Sequence, residues 1–210
     1  KKPVVKIIIF ISLIVNFLFG AFQVGYSFIL IEKLKLDPVH FGYTEMAFAV
    51  GMLLMSIYFS STKELKYPLF VSKWSIVCTG FLLASIATPL LMNMSYLGTV
   101  LFYIIILFIF GVTMMVTNTP IMVMMQKTID DDYKGRVFSI LETGSMALMP
   151  LGMVVFGFLY DVFSAELILI TSGVLLVATV LVLARPSVIR KAHPELAKGK
   201  VETTPAPQPE

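Results

Sequence analysis

The chain has little charge and almost no cysteine or histidine. Charged residues make up 14% of its 210 residues, against roughly 25% in a soluble domain, so an ordinary soluble protein is excluded. The single cysteine, Cys78, cannot form a disulfide within the chain. The two histidines, His40 and His193, lie outside the apolar stretches, which excludes an intramembrane zinc protease site. A net charge of +3 is too small to indicate a nucleic-acid partner.

Sequence motifs of several enzyme classes are also missing. The chain contains no Gly-x-Ser-x-Gly elbow and no Walker sequence, so neither serine hydrolysis nor ATP hydrolysis is indicated. The acidic run from Asp130 to Asp132 lacks the alternate spacing of a calcium loop. We therefore expect a protein that is not an enzyme and that carries no metal or cofactor.

Apolar residues are what the chain has in excess. They make up 58% of it, or about 122 residues, and one membrane-spanning helix needs ~20. We expect helices because lipid leaves an open strand unsatisfied, and because the apolar runs lack the alternation of barrel strands. The sequence predicts an all-α polytopic membrane protein with six spans, at approximately 7–31, 41–62, 70–91, 97–126, 137–160 and 165–184.

Lysine and arginine predict the orientation of these spans. Fourteen of the 16 basic residues fall on one side of the predicted membrane, and only Lys33 and Lys35 fall on the other. Both termini are therefore expected in the cytoplasm, in a protein of the cell membrane. Residues 185–210 form a polar tail that cannot bury a core, and we expect it to be disordered.

Glu142 is a charged residue inside a predicted span. It follows Arg136 by six residues, about 9 Å along a helix. A carboxylate at this depth indicates a functional site, and burial would suit it to bind and release protons. The alternative is that Glu142 reaches the headgroups or pairs with Arg136 or Lys134. Glu45 in the second span is a further proton-coupling candidate, with a plain interfacial position as its alternative.

Uncharged polar groups also lie within the spans. Asn16 and Gln23 are seven residues apart on one helix face, and Tyr26 follows one turn later. Asn118 lies in the fourth span just before Pro120. Such groups need partners in hydrocarbon, so they either line a substrate cavity or form hydrogen bonds between helices.

Methionine is concentrated in the second, fourth and fifth spans, which hold 11 of the 13 residues. Adaptable thioether side chains suit the binding of varied apolar ligands, although ordinary packing explains any single one. The cavity candidates are Met52 and Met55 in the second span, Met115 and Met122 in the fourth, and Met146 and Met149 in the fifth. By helical spacing Met125 and Met153 continue the last two faces.

Prolines and glycines mark candidate moving parts. Pro120 and Pro150 interrupt the backbone hydrogen bonding of the fourth and fifth spans, and Gly152 allows close helix approach. The candidates for a cytoplasmic gate contact are Asp131, Gly135 and Arg136.

The stretch from Asn118 to Asp161 carries a family resemblance. Its motifs read, in order, Asn118-Thr119-Pro120, Gln126, Gly135-Arg136-Val137-Phe138-Ser139, Met149-Pro150-Leu151-Gly152, Gly157 and Tyr160-Asp161. This pattern resembles the tenth and eleventh helices of the major facilitator superfamily, and within it the macrolide-efflux-like drug exporters of bacteria. The resemblance to the superfamily extends to Arg185.

The resemblance implies the C-terminal six-helix half of a twelve-helix transporter, built as a 3+3 inverted repeat. Residues 1–6 would then be the end of the central cytoplasmic loop, and an N-terminal half would be missing. The first, second, fourth and fifth spans would line the cavity. The implied function is export of small hydrophobic compounds such as macrolides by proton antiport and alternating access. The implied partners are the substrate, protons, the bilayer and the missing half, with no nucleic acid.

Two other functions remain open from the sequence. The chain could transport another substrate, such as a siderophore or other metabolite; a sugar is disfavoured because the polar faces hold few amides and aromatics. It could also be a six-span scaffold with no transport role, which predicts that no wet path runs between the helices.

Overall fold

The computed structural model describes residues 3–62, 65–92 and 94–185, and it contains helices and no strands within those ranges. A single π-helical turn, Phe28–Lys33, extends the first helix. The helices are α1 (Pro3–Ser27), α2 (Pro38–Ser61), α3 (Pro68–Ser85), α4 (Thr88–Leu91), α5 (Tyr96–Thr128), α6 (Asp131–Val162) and α7 (Ala165–Leu183). The described chain has six helical segments long and apolar enough to cross a membrane, with α3 and α4 forming one of them. The predicted six-span, all-α fold is confirmed.

The helices reach further than the charge-free runs. α6 begins at Asp131, six residues before the predicted start at 137, and α1 begins at Pro3. Acidic residues in the first turn of α6 suit a helix N-terminus, so charge marks the edge of the apolar part without ending the helix. The predicted disordered tail, from residue 186 onward, lies outside the described residues.

Six long segments pack side by side in the order α2, α5, α3, α7, α1, α6, with the most extensive contacts in the α2–α5 and α1–α6 pairs. If α1 is exchanged with α5, α2 with α6 and α3 with α7, the result is the same packing order read backward. Every pair of neighbouring helices is then again a pair of neighbours. The bundle therefore consists of two equivalent three-helix units with opposite directions across the membrane. We call the end at which α1 begins the near end, and the other the far end.

Glycines allow close backbone contacts between the helices of the bundle. A Cβ atom on any of six glycines would collide with the facing helix, and the glycines face each other in pairs. The pairs are Gly51 with Gly111 between α2 and α5, Gly20 with Gly152 between α1 and α6, and Gly80 with Gly173 between α3 and α7. The exchange that relates the two units also exchanges these glycines. The internal repeat is therefore visible in the contacts, and backbone-to-backbone packing of this kind is typical of membrane helices.

Buried hydroxyl groups join α3 to α5, and we call their contact the polar seam. Ser72 Oγ donates to Thr117 O at 3.0 Å, and Ser75 Oγ donates to Thr113 O at 2.8 Å. Thr117 Oγ1 donates to Ser75 Oγ at 3.0 Å, and Thr113 Oγ1 to the carbonyl of Phe110 in its own helix at 2.9 Å. All four side chains are buried. Each hydroxyl of the seam thus has a partner within the protein, as burial in hydrocarbon requires.

Candidate functional site

The rotation of α1 places its amides on one side of the bundle. Gly20 faces α6, while Phe22 stacks on Phe110 of α5 with ring centroids 4.5 Å apart. Asn16 and Gln23 lie on the surface of α1 between these two contacts, by helical periodicity. This surface points away from α3 and α7, and we call that side of the bundle the open face.

Glu142 and its methionines lie on the same side. α1 and α6 run parallel, and their relative rotation is fixed where Gly20 meets Gly152 and where Asn16 meets Ser145. From this rotation, Glu142 lies beside the α1–α6 contact on the side toward which Gln23 points. Met146, Met149 and Met153 follow Glu142 at helical spacing, and Met146 is 79% exposed.

The polar residues of α5 and α2 complete the open face. Asn118, Met115 and Met122 share the side of α5 that carries Gly111, away from the seam residue Thr117. Asn118 and Met122 are exposed, and Met115 is half-buried.

Glu45 of α2 lies beside the Tyr26 hydroxyl of α1, so its side of α2 faces α1. Met52 shares that side by spacing, whereas Met55 lies on the side of Gly51, which packs on α5. Four helices thus turn most of the predicted residues toward one face.

Asn16 is partly used in helix packing. Its Nδ2 donates to Ser12 O at 2.8 Å and to Ser145 Oγ of α6 at 3.2 Å. Its Oδ1 accepts no hydrogen bond from the described residues, and the Gln23 side chain forms none with them either. The amides of α1 therefore combine an interhelical contact with hydrogen-bonding capacity left open to the face.

Glu142 forms neither of the two ion pairs, with Arg136 or with Lys134, that the sequence left possible. It is exposed, and it forms no ion pair within the described part of the chain. Lys134 instead bonds Asp131, with Nζ 2.6 Å from Oδ1, and both lie in the first turns of α6. The Glu142 carboxylate thus depends on water, lipid headgroups or a ligand for its partners.

Tyr26 differs from the other cavity candidates because it is buried, with 1% of its surface exposed. Its hydroxyl bonds Thr44 Oγ1, and its ring stacks against Phe22 and Phe41. Since Thr44 Oγ1 donates to Phe41 O at 2.7 Å, it accepts the Tyr26 proton. Tyr26 therefore connects α1 to α2 near the far end and does not lie on the open face.

An aromatic cluster around Tyr26 was not predicted from the sequence. It joins α1, α2 and α5 near the far end through ring contacts between Phe19, Phe22, Phe48 and Phe110. The spacing of Phe19, Phe22 and Tyr26 along one side of α1 was the available signal.

Met125 lies away from the open face, although its spacing predicted a shared face with Met115 and Met122. It is fully buried at the near end, in a cluster with Ile8, Leu69, Ile129 and Leu141.

Of the two prolines predicted as hinges, Pro120 is buried and Pro150 is exposed. Gly152, which the sequence predicted to allow close helix approach, packs against the backbone of α1. The gate candidates Asp131, Gly135 and Arg136 are all exposed at the start of α6. In the described ranges no three His, Cys, Asp or Glu residues are grouped so that they could hold a metal ion.

Comparison with known proteins identifies the family. The profile of the Major Facilitator Superfamily matches residues 8–208. An uncharacterized MFS-type transporter of Bacillus subtilis (strain 168), YfiS, is 30% identical over 139 residues, which are 65% of this chain and 32% of the relative. The aligned part is thus about a third of that relative's length. No solved structure matches the chain. With its six apolar helices packed as two inverted units, this multi-pass membrane protein belongs to the Major Facilitator Superfamily.

Proposed function

We propose that this chain is one six-helix half of a secondary transporter that exports small hydrophobic compounds, such as macrolides, in exchange for protons by alternating access. The observation that carries the proposal is the open face. Four helices turn carboxylate, amide and methionine side chains toward it, and α3 and α7 lie behind.

The partners of the polar groups favour transport over a scaffold role. In the polar seam the hydroxyls of Ser75 and Thr117 bond other groups of the protein. On the open face Gln23, Asn118 and Glu142 have no hydrogen-bonding or ionic partner among the described residues. Polar groups left open within membrane helices typically mark a substrate or ion path.

A second six-helix unit is the partner that we propose for this face. α2 and α6 form the two edges of the packing order, and both present exposed apolar residues. The matched relative is about three times as long as the aligned segment, which leaves length for a second unit. The near end would be cytoplasmic, since the basic residues concentrate there.

The site roles follow from the positions. Glu142 and Glu45 are the proposed proton sites, and Asn16, Gln23 and Asn118 line the substrate path. Pro120 and Pro150 each remove a backbone hydrogen bond inside a long helix, so they are the proposed flex points. Asp131, Gly135 and Arg136 would form gate contacts with the partner unit at the near end.

Replacing Glu142 tests the proposed coupling. In inverted membrane vesicles from cells that express the protein, Glu142→Gln should reduce proton-driven uptake of a hydrophobic drug at least about tenfold. The reason is that glutamine cannot take up and release the coupled proton. Asp161→Asn is the matched control, because Asp161 is an exposed carboxylate on the same helix at the far end. Unchanged uptake in Glu142→Gln would remove this residue from the coupling mechanism.

A further inference from the structure

We propose that the near end of α3 and α7 binds the headgroup of an anionic phospholipid. The binding surface, which we call the basic patch, consists of Lys66, Lys73 and Arg185 together with the exposed rings of Phe70 and Trp74. It lies behind the open face and takes no part in the proposed transport mechanism.

Lys73 is a basic residue within a membrane-spanning helix. It lies five residues after Pro68, the first residue of α3, which is about 8 Å along the helix. Its side chain lines a small apolar recess with Ile76 and Val180, and its Nζ donates to Ala184 O of α7 at 2.9 Å. A long lysine side chain typically reaches in this way from apolar surroundings toward the membrane surface. The ammonium group is therefore held at the level at which α7 ends.

A second cation, Arg185, directly follows the carbonyl group that Lys73 binds. Because Ala184 O belongs to the peptide bond before Arg185, the Lys73 ammonium lies beside the Arg185 backbone. Arg185 is exposed, and it forms no ion pair or hydrogen bond with the described residues. Lys73 forms one such bond, which leaves two of its three N–H donors open. A lysine and an arginine with open donors can bind one phosphodiester together, the arginine through two parallel hydrogen bonds.

No acidic side chain accompanies these cations in the described part of α3 or at the near end of α7. Residues 65–92 contain neither aspartate nor glutamate, and Glu166 of α7 lies at the far end. At the start of α6, in contrast, Lys134 is paired with Asp131 at 2.6 Å. The charge of the basic patch is thus open to an anion from outside the described chain, and anionic headgroups attract basic residues next to membrane helices.

The exposed side of α3 fits a lipid better than a soluble anion. An apolar stripe at helical spacing runs along it, formed by Phe70, Trp74, Cys78 and Phe81. The rings of Phe70 and Trp74 are in edge contact, with centroids 6.4 Å apart. Trp74 directly follows Lys73, and the headgroup level is the usual place of a tryptophan in a membrane protein. The surface therefore offers charge to a headgroup and apolar contact to the acyl chains of the same molecule.

Trp74 is the only tryptophan of the chain, so its fluorescence reports on the lipid beside the basic patch. The purified full chain would be reconstituted in mixed bilayers of phosphatidylcholine and phosphatidylglycerol, with one of the two lipids brominated on its acyl chains so that it quenches tryptophan. We expect phosphatidylglycerol to be preferred at Trp74 by about fivefold, which is what one lysine or arginine beside anionic lipid contributes. The preference should fall below about twofold in the Lys73→Gln, Arg185→Gln double variant and should persist in Lys73→Arg.

Lys134→Gln is the matched control, because it removes a lysine at the same end of the bundle whose charge is already paired. It should leave the lipid preference unchanged. Equal melting temperatures would show that the variants are folded. If the double variant does not fold, Arg185→Gln replaces it, since that side chain has no bond to the described residues, and it should at least halve the preference.

Three results would overturn the proposal. The first is equal quenching by the two brominated lipids in the protein without substitutions, and the second is a preference that these variants retain in full. The third is a preference abolished by excess inorganic phosphate at constant ionic strength, because the basic patch would then be a site for a soluble anion.

Discussion

The polar seam and the open face both hold polar side chains of membrane helices, but they differ in whether those side chains have partners within the protein. Ser72, Ser75, Thr113 and Thr117 are buried, and each hydroxyl bonds another group of the protein. Gln23, Asn118 and Glu142 also lie in membrane helices, yet the described chain gives them no partner. Since an unpaired polar group in hydrocarbon is costly, the open face needs water, a ligand or a partner unit. The difference separates residues that hold the bundle together from residues available for function.

Substitutions of glycine should give the largest difference in unfolding free energy between a position in a helix contact and a position with no neighbour. Gly152→Ala would place a Cβ against the backbone of α1, so α1 and α6 must separate, which we expect to cost about 3 kcal/mol of unfolding free energy. Gly157→Ala in the same helix meets no atom within 4 Å and should be neutral or stabilising by up to about 1 kcal/mol. Reversible unfolding in detergent would measure both. Equal effects would mean that the glycine contact between α1 and α6 is not formed.

Removing one hydroxyl from the polar seam should have a smaller effect. Ser75→Ala deletes a donor to Thr113 O and the acceptor of Thr117 Oγ1, at a cost of about 1 kcal/mol within a membrane. Ser85→Ala is the control, because Ser85 Oγ bonds only Phe81 O of its own helix at 2.8 Å, and it should change stability by less than about 0.5 kcal/mol. If unfolding free energies showed no difference, the seam would not stabilise the bundle.

The open face should be the least sensitive to loss of a polar group. Gln23→Leu removes an amide that bonds nothing in the described chain, so we expect a change in unfolding free energy within about 0.5 kcal/mol. The same unfolding measurement gives the value. A loss as large as that of Ser75→Ala would show that Gln23 is bonded inside the bundle and is not available to a substrate.

The sequence predicted best what depends on single helices. Runs without charge located the six helices that are long and apolar enough to cross a membrane. Features that need two distant segments were missed. The partner of Gly20 lies in α6, 132 residues later at Gly152, and nothing near Gly20 in the sequence indicates this.

The burial of Tyr26 and Met125 was missed for the same reason, because it depends on segments that are distant in the sequence. Both were expected beside amides on a helix face, and the spacing itself was sound. Tyr26 is buried because Thr44 and Phe41 of α2 cover it, and Met125 because Ile8, Leu69 and Leu141 of three other helices surround it. Periodicity gives the side of a helix, whereas the neighbouring helices decide which part of that side stays open.

Thiol labelling of single cysteines tests the distinction between seam and open face most directly. Cys78 is exposed and would first be replaced by alanine. Intact membranes would then be treated with a charged, water-soluble thiol reagent, using Gln23→Cys and Asn118→Cys on the open face and Ser75→Cys and Thr113→Cys in the seam. We expect labelling at Gln23 and Asn118, and protection at Ser75 and Thr113 until the protein is unfolded. Equal protection at all four positions would contradict a wet open face and would favour a six-span scaffold.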